Sequence, residues 1–235
     1  MSQVLRLTSK LTVTQKKFLA EVIGTFIVVT SATGSVVLDA KLHGILGIPF
    51  IAFAPFVGVA ICVYLFGKIS MAHFNPAVTI GYLITGHLRK NMLACYLGAE
   101  IIGALLASVF VKYAIGTEAN LGVNVPNYNF PLPVIFGTEV LASGLLVAVI
   151  YAVVLTKGLR GFSGIAIGGI VGLDIYLFAF ISGASMNPAR SLAPALLSGS
   201  LGDLWLYLSA PFVGTSLVAF ILRKKISIKN QVGNF

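Results

Sequence analysis

The triplet Asn-Pro-Ala occurs twice, as Asn75-Pro76-Ala77 and Asn187-Pro188-Ala189, each time inside apolar sequence and at matching places in two similar halves. Each copy reads as a helix start. Asn is a favoured N-cap because its side-chain oxygen accepts a bond from an orphan N–H of the first turn. Pro suits the next position because its φ is already helical and it has no N–H to leave unpaired. As a helix, residues 76–85 extend only ~15 Å, half of a ~30 Å hydrocarbon core. Such a segment is too short to cross a bilayer and too apolar to sit in water. Residues 188–197 read the same way. Asn-Pro alone is a common turn signal; repetition within apolar sequence excludes an ordinary loop. Two half-helices entering from opposite faces would meet N-terminus to N-terminus and make a seventh, broken span.

The rest of the chain supplies the full spans. With 57% apolar and 10% charged residues it is not an ordinary soluble domain. Six apolar runs approach or exceed the roughly 20 residues a bilayer requires: 18–38, 48–67, 92–111, 134–155, 164–181 and 204–222. The apolar run after residue 17 exceeds a signal-peptide core and reads as a retained first span. The expected fold is therefore an all-α membrane protein with six transmembrane helices and two re-entrant half-helices.

The halves repeat. Glu21 precedes Asn75 by 54 residues and Glu139 precedes Asn187 by 48. Leu97-Gly98-Ala99-Glu100-Ile101-Ile102-Gly103 is echoed by Leu208-Ser209-Ala210-Pro211-Phe212-Val213-Gly214. Three spans per half is an odd number, so the second half enters from the opposite side, an inverted repeat that puts the site near the midplane. Small-residue pairs such as Ala99/Gly103, Gly168/Gly172 and Ala210/Gly214 suit close helix packing in lipid.

The net charge of +9 is a matter of topology. Thirteen of the sixteen Lys and Arg residues fall in one side's loops and the two termini; only Lys41, Lys112 and Arg190 fall on the other. This positive-inside distribution places both termini in the cytoplasm and requires no nucleic acid. Cys62 and Cys95 lie within spans and read as small buried residues, with neither a disulfide framework nor metal-ligand spacing. No cofactor, metal or nucleophile–base pair is implied, and the chain does not read as an enzyme.

Broken helices at membrane depth are tolerable where they line a water-filled cavity. The non-helical residues Met71, Ala72, His73 and Phe74, and Gly183, Ala184, Ser185 and Met186, would present carbonyls to it. Asn75 and Asn187, capping with their oxygens, keep N–H groups to donate into it. Both helix N-termini add partial positive charge there. Water can exchange hydrogen bonds along such a path while cations and protons meet an electrostatic barrier. Arg190 sits where the first half has Val78. A cation at a helix N-terminus opposes the dipole, and buried charge in a membrane points to function. It reads as pore-facing; the alternatives are an ion pair with Asp174 and a headgroup anchor.

At these residues the sequence resembles the aquaporin (major intrinsic protein) family. Ser70-x-Ala72-His73-Phe74-Asn75-Pro76-Ala77-Val78-Thr79, Asn187-Pro188-Ala189-Arg190-Ser191 and Ala20-Glu21-x-x-Gly24-Thr25 carry the likeness. The resemblance implies a right-handed bundle, one pore per protomer and a homotetramer. It makes Asn75 and Asn187 the central donors and Arg190, Ile175 and Ala184 part of the outer selectivity filter, with Pro76 and Pro188 structural. The second-span filter position is Pro55, where the family usually has an aromatic residue or His; Phe53 or Phe56 is the alternative wall. Ile175 replaces the His of strict water channels, as in some archaeal members. Glu21 and Glu139 match carboxylates that accept bonds from the re-entrant backbones, and Glu100 stands where the family commonly has Gln. His73 lies at the inner mouth, lining or gating it.

The implied organisation is a cytoplasmic tail (1–17), one channel domain (18–223) and a second cytoplasmic tail (224–235). Within the domain the repeats cover about 18–112 and 134–223, divided by an external loop at about 112–133. Ser191 and Ala195 resemble the water branch, so the expected function is a passive water channel excluding protons and ions. A channel for glycerol or another small neutral solute, ammonia included, is the alternative; a coupled transporter and a structural membrane protein are the rivals. The implied partners are the bilayer, water, small neutral solutes and copies of itself, and the implied location is a plasma membrane.

Overall fold

The computed structural model describes residues 11–232 of the chain. Eight helices of nine or more residues build it: α1 (Val13–Lys41), α2 (Gly47–Ser70), α3 (Pro76–Ile84), α4 (Leu93–Ala114), α5 (Leu132–Leu155), α6 (Ser163–Ser182), α7 (Pro188–Ser198) and α8 (Ala210–Val232). Six segments are long and apolar enough to cross a membrane. The short helices α3 and α7 are those that follow the two triplets. The fold is all-α, and among the described residues there is no strand.

Local chemistry explains most helix ends. At α1, Thr12 and Gln15 form a capping box: Gln15 N donates to Thr12 Oγ1 at 3.2 Å and Thr12 N to Gln15 Oε1 at 2.9 Å. The helix thus starts before the expected residue 18. At the other end of the chain α8 continues to Val232, through residues expected to be a tail. The outermost tail residues, 1–10 and 233–235, lie outside the described residues.

The sixth span departs from the expected continuous helix over 204–222. A helical turn at Leu204–Tyr207 ends before α8 begins at Ala210. Pro211 is the cause, because it lacks the N–H that would donate to the carbonyl of Tyr207, and its ring crowds that carbonyl. Pro55 sits within α2 without ending it. The carbonyl it leaves unpaired, that of Ile51, is approached by Ser35 Oγ of α1 at 3.5 Å.

Packing follows the repeat. In the first half α1 lies against α2 and α4; in the second, α5 lies against α6 and α8. The half-helices cross over, α3 packing chiefly on α8 and α7 on α4, so each half holds the other's broken helix. Small residues let the long helices touch backbone to backbone. A Cβ on Gly103 would stand 2.5 Å from Val22 O, and one on Gly214 2.1 Å from Val140 O. These two contacts are related by the repeat. Because backbone cannot yield as a side-chain tip can, Gly103→Ala and Gly214→Ala are each expected to cost about 1–3 kcal/mol. The measurement is the midpoint of thermal unfolding in detergent. Gly98→Ala, with nothing within 4 Å of its Cβ, is the control and does not lower the midpoint.

Candidate pore and its outer constriction

Each re-entrant loop begins where a long helix stops in the left-handed region. Met71 (φ 73°), Ala72 (φ 54°) and Phe74 (φ 52°) follow α2, and Gly183 (φ 84°), Ala184 (φ 45°) and Met186 (φ 55°) follow α6 in the same order. Such backbone costs of order 1–3 kcal/mol per non-glycine residue and persists only where its surroundings hold it. Gly183 also has a steric reason, since a Cβ there would meet Tyr207 Oη at 3.0 Å and Asn124 Cβ at 3.2 Å.

What holds the loops is a matched set of polar anchors. Glu21, fully buried, accepts from His73 N at 3.1 Å and from Phe74 N at 2.7 Å. Glu139, equally buried, accepts from Ser185 N at 2.8 Å, Met186 N at 3.1 Å and Ser182 Oγ at 2.9 Å. Tyr96 Oη donates to Ser70 O and Tyr207 Oη to Ser182 O, both at 2.7 Å, fixing the last carbonyl of each preceding helix.

The triplets cap as their sequence predicts. Asn75 Oδ1 accepts from Ala77 N at 2.9 Å, and Asn187 Oδ1 from Ala189 N at 3.0 Å and Arg190 N at 3.4 Å. Pro76 and Pro188 occupy the first helical position. The amide nitrogens cross between halves: Asn75 Nδ2 donates to Met186 O at 2.8 Å and Asn187 Nδ2 to Phe74 O at 2.9 Å. Each NH₂ group has two hydrogens. One is spent across the repeat, and one remains for the cavity that both residues line.

This central cavity, about 60 Å³, also has Pro55, Ala72, His73, Phe74, Ser185 and Met186 in its wall. An outer vestibule of about 170 Å³ adjoins it, and there Gly183 lies. Four residues face both compartments and so mark the constriction between them: Ala32, Ile175, Ala184 and Arg190. Met71 lines neither and packs against the buried apolar cluster. Phe53 and Phe56 do not supply the missing wall. Phe53 is 59% exposed, and Phe56 lies against α6, within 3.0 Å of where Cβ atoms on Gly168 and Gly172 would be. Pro55 and these two phenylalanines point differently because successive helical residues are about 100° apart, so Pro55 and Val59 line the cavity while Phe53 and Phe56 turn away from it.

Arg190 is buried in the wall shared by the two compartments, and Nη1 donates to Asn124 Oδ1. No ion pair with Asp174 forms, since both carboxylate oxygens of Asp174 are buried without a hydrogen-bond partner. Burial in the wall likewise excludes a headgroup anchor. His73 is clamped between Tyr82 and Tyr96, with ring centroids 4.5 and 4.4 Å away. Its Nδ1 lies 2.8 Å from Thr79 Oγ1, which donates to Glu100 Oε1 at 2.5 Å. Two aromatic neighbours and one ring nitrogen thus hold the imidazole in place.

Sequence reasoning missed Asn124, Ala32 and Ile51, the last in the vestibule wall. Ala32 and Ile51 carry no signal that separates them from other apolar span residues. Asn124 stands in a loop read only as a divider.

The family model described as major intrinsic protein matches residues 8–222. Over 209 residues the chain is 34% identical to the probable aquaporin NIP4-2 of Arabidopsis thaliana, covering 88% of this chain and 73% of the relative. Over 208 residues it is 33% identical to Nodulin-26 of Glycine max, covering 88% and 76%. Among solved structures, the aquaglyceroporin from Plasmodium falciparum superimposes with a TM-score of 0.75 over 90% of this chain and 96% of that one. Sequence identity there is 23%, so this likeness is one of fold.

Proposed function

The chain belongs to the major intrinsic protein family of passive membrane channels, and on that premise we propose that it conducts water while excluding protons and ions. The observation that carries this is the crossed pair of Asn amides at the meeting point of two half-helix N-termini. Water passing there meets two donors at once and cannot keep a donor chain unbroken through them. The positive ends of both helices raise the energy of any cation at that depth. Arg190 adds a formal charge at the outer constriction, where Ile175 and Ala184 complete the wall with Pro55 just inside.

A second reading, passage of glycerol or a similarly small neutral solute, is favoured by one feature. The residues facing Arg190 across the constriction, Ala32, Ile175 and Ala184, are apolar and none is aromatic or His. We place the protein in a plasma membrane as a homotetramer with both termini cytoplasmic, on the strength of its charge distribution and its family.

Reconstituted vesicles under osmotic shock decide the matter. Water efflux is expected to be fast, with a low activation energy and no proton current; flux equal to that of empty vesicles with folded protein present would sink the reading. Measured in the same vesicles, Ile175→His is expected to reduce any glycerol passage roughly tenfold and water passage less. Equal loss of both would mean that Ile175 does not set solute size.

A further inference from the structure

We infer that Asn124, in the loop joining the two repeats, is a positioning residue that holds the Arg190 guanidinium at the outer constriction. The inference rests on the reading of Arg190 as the filter cation. Asn124 is 3% exposed, and both ends of its amide are engaged. Oδ1 accepts from Arg190 Nη1 and from Ser191 Oγ, the latter at 2.7 Å. Nδ2 donates to Gly183 O at 2.8 Å. Guanidinium only donates and a backbone carbonyl only accepts, so a single orientation of the amide satisfies both. One side chain thereby ties the first turn of α7 to the loop that precedes it.

The repeat explains why a loop residue takes this place. In the first half the re-entrant loop is tied to its half-helix through His73, Thr79 and the acceptor Glu100. The related residues of the second half are Ser185 and Ser191, whose hydroxyl oxygens lie 2.5 Å apart. The third position, however, is Pro211, which has no side-chain acceptor. Asn124 Oδ1 receives the Ser191 hydroxyl instead. The acceptor also has a second task there, because α7 carries Arg190 where α3 carries Val78.

The chemistry of the acceptor matters. A carboxylate would hold the guanidinium but cancel its charge; a neutral amide holds it and leaves the charge to act on the pore. Position and charge are therefore separable by substitution. Asn124→Leu removes the anchor and keeps the charge on Arg190. Asn124→Asp keeps the acceptor and offsets the charge.

The test uses the full chain in vesicles and measures the glycerol-to-water permeability ratio together with potassium leak. Asn124→Leu is expected to raise the ratio about fivefold, the scale of one lost hydrogen bond. Asn124→Asp is expected to change the ratio less and to raise the leak. On an Arg190→Val background, Asn124→Leu is expected to add nothing, because there is no longer a cation to position. A wild-type ratio in Asn124→Leu, with Arg190→Val altered, overturns the inference and leaves the filter reading intact. An Asn124→Leu effect undiminished on the Arg190→Val background marks a merely structural role and overturns it too. Arg190→Val without effect removes both. If Asn124→Leu does not assemble, Asn124→Asp decides, and an unchanged leak overturns the inference.

Discussion

Glu139→Ala is expected to leave little folded, conducting protein. The carboxylate is fully buried and is the sole side-chain acceptor for the amides of Ser185 and Met186. Without it two buried backbone donors lose their partner, at about 1–3 kcal/mol each. Their sum, roughly 2–6 kcal/mol, is a large part of the 5–15 kcal/mol by which proteins ordinarily hold together. The loop also carries left-handed residues that these bonds help to keep in place. Glu139→Gln is expected to fall between, because its amide restores one acceptor and turns an NH₂ group toward the other donor. Thermal stability in detergent and water flux per reconstituted protein measure both. Wild-type values for Glu139→Ala would mean that the loop does not depend on this anchor. Glu21 stands in the same relation to His73 and Phe74, and its removal is expected to act alike.

Arg190→Val is the second large effect, and it concerns ions rather than folding. A unit charge about 8 Å from a passing cation, at an effective dielectric of about 20, raises its energy by roughly 2 kcal/mol. Loss of that charge is expected to raise cation leak about thirtyfold. Water flux per protein is expected to persist, because the crossed Asn75 and Asn187 amides are untouched. Proton exclusion is expected to weaken less than potassium exclusion, since the helix N-termini still oppose a positive charge at mid-depth. Conductance across a planar bilayer checks this, and an unchanged leak would remove the electrostatic role assigned to Arg190.

The central features were legible because they are written in short-range chemistry. An Asn before a Pro sets a helix start, and a ten-residue apolar helix set among membrane spans reaches only half-way across a bilayer. From those two facts came the half-helices, the irregular residues before them, and the capping oxygens that turn the amide nitrogens elsewhere. The break at Leu208 and Ser209 is also written in the chain, as Pro211, but the apolar run continues through it and hides it. Close packing at Gly103 and Gly214 was visible as small-residue spacing; which backbone each would touch was not.

By itself, then, the sequence determined the elements and their symmetry, because caps, prolines and hydrophobic length act within a few residues or against the membrane as a whole. Only the tertiary structure decided which way side chains face and what they meet. Pro55 turned inward while Phe53 faced out and Phe56 packed on α6, since the rotation of α2 is set by its contact with α6. Arg190 took its partner from Asn124, 66 residues away, in a loop with no local pattern to announce it. The physical reason is the same in each case: a contact between distant residues depends on how whole helices dock, and that is a property of the packed bundle.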